Sequence, residues 1–194
     1  MPRHWEGKTV AILACGPSMN ADLADRVVSK YHTIAINDTY KIAPFADVLY
    51  FCDKRWYEWH AEGVEAFRGK VVTLENYDLG SDKIKHLHNY GRDGLHLDPP
   101  DGVMTGRNSG YQAINLAILF GAKRILLHGY DMRWIDGKAH FHKGHPVETA
   151  ADIYERCMLP QYKQLPPLLA KLGVTVVNMT PNSALTVFDA EPSV

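Results

Sequence analysis

Cysteine is scarce in this chain: three in 194 residues, Cys15, Cys52 and Cys157, with no Cys-x-x-Cys pair among them. An odd, widely spaced set excludes a disulfide framework and a thiolate zinc site as organising principles. Long apolar runs are missing as well. None approaches the roughly 20 residues that cross a bilayer, and the first residues carry no signal-type hydrophobic stretch. The expectation is a cytoplasmic chain with no membrane span. An excess of one charge is also absent: 21 Lys and Arg against 22 Asp and Glu leave a net charge of -1. That gives no clear nucleic-acid patch overall, although a local basic patch stays open. Two glycine signatures are lacking too. Without G-x-G-x-x-G or G-x-x-x-x-G-K-[ST], neither the dinucleotide fingerprint nor a Walker loop is available.

What is present is an ordinary globular composition, 46% hydrophobic and 22% charged, in a length that suits one domain with a core of its own. Residues 10–14 form an apolar run short enough to be a strand covered on both faces. Gly16-Pro17-Ser18 turns the chain, and Asn20 opens an amphipathic segment with Leu23, Val27 and Val28 on its apolar side. Further strands are predicted at 32–38, 46–53 and 69–75, with a helix over 54–67 between the last two. Residues 78–106 are rich in Gly, Asp and His and predict mostly loop around a short strand at 94–97. A helix over 108–120, stopped by Gly121, leads into a buried strand ending at Gly129. The polar stretch 133–149 predicts an irregular active-site loop. A helix over 148–172, interrupted near Pro160 or Pro166, and a last strand at 174–179 complete the pattern. Strands alternating with helices indicate a Rossmann-like, doubly wound, mostly parallel α/β sheet with helices on both faces.

In such a sheet the loops after the strands' carboxyl ends share one edge, where ligands bind at a switch in strand order. That edge would collect Gly16, Pro17 and Ser18, then Asn37 and Asp38, Asp53, Gly129 to Asp131, and Pro181 to Ser183. Small residues and short amides suit a nucleotide, whose phosphate sits on helix-start N–H groups and whose ribose and base edges take Asn or Asp. Each of these residues also has a plain role as a turn or cap. A second anion element is the run 105–111, where Arg107 precedes a helix start at Ser109 and Gly110; its plain reading is an exposed arginine beside an Asn108 cap. Three histidines, His140, His142 and His145, fall in the polar loop. They suit a general base that takes a proton from a hydroxyl nucleophile. Their spacing also allows a metal site, or a solvated loop with no chemistry.

The ordered set "VAILACGPSMNADL", "INDTY", "VLYFCD", "NSGYQAINLAILFGAKRILLHGYDM", "HFHKGHP" and "VVNMTPNSAL" covers most of residues 8–187. It resembles the bacterial lipooligosaccharide sialyltransferases that use CMP-sialic acid, together with short, phage-associated relatives. The resemblance implies a glycosyltransferase with a CMP-sugar donor, a hydroxyl-bearing acceptor and no required cofactor. It implies a nucleotide pocket lined by Gly16, Pro17, Ser18, Asn37, Ser109, Gly110, Gly129 and Asp131, and it places the general base at His145, in the Gly144-His145 pair. Where the family has asparagines, this chain has Cys15 and, at the third strand end, Cys52 or Asp53, a carboxylate suited to a ribose diol. Arg133 stands where the family has a tyrosine that stabilises the leaving phosphate, and arginine can neutralise that charge, with Arg107 as a second cation. The Gly-Pro-Ser and late Ser-Gly elements are also similar to archaeal pterin pyrophosphokinase-like proteins. That alternative implies nucleotide-dependent pyrophosphoryl transfer with Mg²⁺. A nucleotide-binding module without catalysis is the third reading.

Overall fold

The computed structural model describes residues 3–74, 78–143, 149–150 and 152–191. Its centre is an eight-stranded sheet built from β1 (Thr9–Leu13), β2 (His32–Ile36), β3 (Val48–Phe51), β4 (Lys70–Thr73), β5 (Ile84–His86), β8 (Arg124–His128), β9 (Thr175–Asn178) and β10 (Asp189–Ala190). A small separate pair, β6 (His88–Asn89) and β7 (Gly102–Val103), lies beside it. The order across the large sheet is β5-β4-β3-β2-β1-β8-β9-β10, and every neighbouring pair is parallel. Successive strands spread one way from β1 and then, after β8, the other way. The switch in order therefore falls between β1 and β8, as in the expected doubly wound α/β arrangement.

The central strands read as continuous apolar runs because both faces are covered. Along β1, Val10 and Ile12 face one cluster while Ala11 and Leu13 face the other, and all four are fully buried. On the second face pack α1 (Ala21–Val28) through Ala24 and Val27, and α2 (Lys54–Ala66) through Trp56 and Val64. On the first face lie α3 (Ser109–Leu119), α4 (Leu159–Tyr162) and α5 (Leu165–Leu172). Each of α1, α2 and α3 begins on a side-chain cap: Asn20 Oδ1 accepts from Leu23 N, Asp53 Oδ1 from Arg55 N and Asn108 Oδ1 from Tyr111 N, each at 2.9 Å. Helix α3 is buried from Gly110 to Leu119, so its apolar residues run round the helix rather than along one stripe, and its polar Gln112 and Asn115 are hydrogen-bonded. Gly121, at φ 100°, ends it.

One expectation needs correction, one is refined and one element is added. Residues 94–97 are not a strand. Their backbone is held by side chains of α3: Tyr111 Oη accepts from Gly94 N at 3.1 Å, and Asn115 accepts from His96 N and donates to His96 O. With those groups already satisfied, no ladder forms, and the pairing falls instead at β5, β6 and β7. The segment after the polar loop is divided into a wide π-type turn at Tyr154–Met158, α4 and α5. The break sits at Lys163 and Gln164, just ahead of Pro166 and Pro167 in the first turn of α5. The two-residue β10 was not expected; it extends the sheet beyond β9.

Candidate functional site

The turn after β1 lies directly against the turn after β8. Ala14 N donates to His128 O at 2.9 Å and Gly16 N to Gly129 O at 3.0 Å. A Cβ on Gly16 would fall 2.0 Å from Asp131 Oδ2 and 2.3 Å from Gly129 O, so only glycine permits the approach. Gly129 itself stands at φ 72° against Ala14 and Met19. Ser18 donates to the Asp131 carboxylate from its hydroxyl at 2.9 Å and from its backbone N–H at 3.3 Å. Burial raises the pKa of Asp131 against the lowering effect of those bonds. Gly16, Ser18, Gly129 and Asp131 thus form one buttress across the strand-order switch.

Above this buttress opens a cavity of about 460 Å³. Gly16, Pro17 and Gly129 reach its wall, as do Asn37 after β2, Cys52 and Asp53 after β3, and Arg107 to Gly110 at the start of α3. Tyr130, Met132, His140, Thr149 and Tyr154 complete much of the remainder. Ser18 and Asp131 are not in the wall, because their polar atoms face each other. Arg133 is exposed and is not in it either: the chain turns through a left-handed residue at Met132, φ 51°, which presents Met132 to the cavity. Among the described residues five non-glycine residues have positive φ, and three of them, Asn37, Arg107 and Met132, line this cavity. Such backbone strain concentrates where a site over-determines geometry.

The start of α3 is tightly specified. Asn108 Oδ1 accepts from Tyr162 Oη at 2.7 Å besides capping the helix. A Cβ on Gly110 would meet Tyr130 Cε1 and Tyr162 Oη, each at 2.8 Å. Ser109 Oγ lies 3.1 Å from Cys52 Sγ. Cys15 Sγ donates to Ile36 O at 3.1 Å, and burial pushes the thiol up to about 11, so it is a protonated tether between β1 and β2 rather than a nucleophile.

The histidines divide. His140 lines the cavity, with Nε2 3.0 Å from Thr149 Oγ1, and its ring stacks on His142 at 5.4 Å. His142 Nε2 stands 3.7 Å from Asp38 Oδ2, and His60 Nε2 stands 3.5 Å from Asp38 Oδ1. Asp38 also accepts from Trp56 Nε1 at 2.8 Å and from Lys41. Burial would raise its pKa, but the Lys41 and Trp56 bonds and the two imidazoles outweigh that and hold it below the usual carboxylate value. Asp38 therefore anchors the histidine loop to the sheet edge. The sequence signal was only an acid after a strand, which does not reveal the partners arriving from α2 and from residue 142. Gly144 and His145 lie outside the described residues. Among the described residues no three histidine, cysteine or acidic side chains converge as a metal site. No helix among them is long and apolar enough to cross a membrane.

Comparison with protein-family models, curated proteins and solved structures finds no match to this chain.

Proposed function

We propose that this chain is a glycosyltransferase that takes a CMP-type, nucleotide-activated sugar and passes the sugar to a hydroxyl-bearing acceptor. The observation that carries the reading is one cavity, at the strand-order switch, lined jointly by the turn after β1, the ends of β2 and β3 and the start of α3. The Asp53 carboxylate and Asn37 amide suit ribose hydroxyls and a base edge. The N–H groups at the start of α3, with the Arg107 guanidinium beside them, suit the donor phosphate. In this reading the acceptor oxygen attacks the anomeric carbon and its proton passes to an imidazole of the 140–145 run. The bond from that carbon to the phosphate oxygen breaks, and the electron pair leaves on CMP, where Arg107 offsets the charge. His145 is the base that the resemblance to the sialyltransferases implies; His140 is the described imidazole in the wall. With Arg107 offsetting that charge, this reading calls for no metal.

Calorimetric titration with CMP, UMP, GMP and AMP tests this. Cytidine nucleotide is expected to bind most tightly. A clear purine preference would transfer the assignment to a Mg²⁺-dependent pyrophosphokinase, and no binding of any of the four would overturn both.

A further inference from the structure

We propose that the opposite edge of the sheet, at the N-terminal ends of β3, β4 and β5, docks an acidic, extended segment of a partner protein that inserts an apolar side chain. Two depressions lie side by side there and share Lys70. One, of about 390 Å³, is lined by Lys70, Lys83 and Lys85 over Val72 and Phe120. The other, of about 440 Å³, is lined by Phe45, Asp47, Arg68 and Lys70. Phe45 is 71% exposed, more than any other large apolar side chain among the described residues. None of these four cations forms an ion pair with a described carboxylate. Lys83 is held in place by the carbonyls of Glu65 and Phe67, and Lys70 Nζ lies 5.8 Å from the Phe120 ring centroid. The two carboxylates at hand are already engaged: Asp47 accepts from Thr33 N at 2.8 Å, and Asp101 accepts from Tyr90 Oη at 3.0 Å.

Three lysines around an apolar floor, with Arg68 in the adjoining depression and none of the four in an ion pair with a described carboxylate, on a chain of net charge -1, select an anionic occupant. A second copy of the chain meeting this edge face to face would set cation against cation. A flat bilayer would meet Phe45 but not the recessed floor, where Val72 and Phe120 are each only 1% exposed. An extended acidic chain satisfies both features, pairing carboxylates with the lysines while one apolar side chain enters the groove.

The test is fluorescence anisotropy with a labelled Asp/Glu-rich peptide carrying one central phenylalanine. Saturable binding that weakens with salt is expected. Lys70→Glu and Lys85→Glu should each weaken it about tenfold, with Lys85→Gln, the milder change, intermediate. Phe45→Ala should weaken it too, and none of these variants should alter CMP titration. Equal affinity for the Lys85→Glu protein, or for a peptide lacking the phenylalanine, would overturn the proposal. So would binding of phosphatidylserine vesicles or of single-stranded DNA that is stronger than the peptide's and is lost on the same substitutions.

Discussion

His128, the last residue of β8, is 3% exposed, and neither ring nitrogen has a hydrogen-bond partner among the described residues. Burial alone pulls its pKa down to about 4. The folded state holds it neutral while the unfolded chain takes a proton near pH 6.5. The stability tied to this neutral form is therefore full above about pH 6.5 and is lost as pH falls towards about 4, to a limit of about 3 kcal/mol. Urea denaturation at pH 7 and at pH 4.5 should show a smaller loss for His128→Leu than for the unaltered protein; parallel losses would remove His128 from the acid response. Nothing in the local sequence marks this histidine, since its lack of partners depends on neighbours brought by other strands. Gly16 is a different case. Its place after the first strand was legible, yet its reason lies more than a hundred residues away, in the Asp131 carboxylate and the Gly129 carbonyl that a Cβ would strike.

At the scale of elements, the start of α3 does the most to shape the cavity. Asn108 caps the helix and receives the Tyr162 hydroxyl, so Asn108→Ala removes a cap and strands a buried phenol. The expected cost is about 2 kcal/mol in chemical denaturation. Asn108→Asp keeps the acceptor and should recover most of it. An Ala variant as stable as the unaltered chain would show that α3 is fixed by packing alone. The helix and its cap were readable because an Asn precedes an apolar segment that Gly121 ends. What holds residues 94–104 was not. Asn115 sits inside α3 at 0% exposure and accepts from His96 N and Met104 N, whereas sequence alone offers only a polar residue on an apolar helix.

At the scale of the whole molecule, the edge that gathers strand ends is also the edge that holds the cavity, and the proposed chemistry can be divided there by substitution. His145→Ala should lower transfer by about 10²–10⁴-fold with little change in nucleotide affinity, because a base that faces the acceptor acts in the transition state. Arg107→Ala should weaken CMP binding itself, since the phosphate is charged in both ground and transition states. If His140→Ala carries the rate loss and His145→Ala turns over normally, the base is the wall imidazole. A protein that binds CMP, transfers no sugar and keeps its CMP affinity in both histidine variants is a binding module.

The alternation of apolar strands and capped helices was decided by the sequence itself, because burial on both faces of a parallel sheet leaves a continuous apolar signature that needs no partner to be read. The turn, cap and stop residues were legible for the same reason: their backbone requirements are local. Only the tertiary structure decided which polar residues face the cavity and which face one another. Ser18 and Asp131 close on each other across the β1–β8 switch, Asp38 takes histidines from two separate segments, and Arg107 reaches the wall while Arg133 does not. Those outcomes depend on side chains far apart in the chain competing for the same hydrogen-bonding groups, and strand order, not residue spacing, determines who meets.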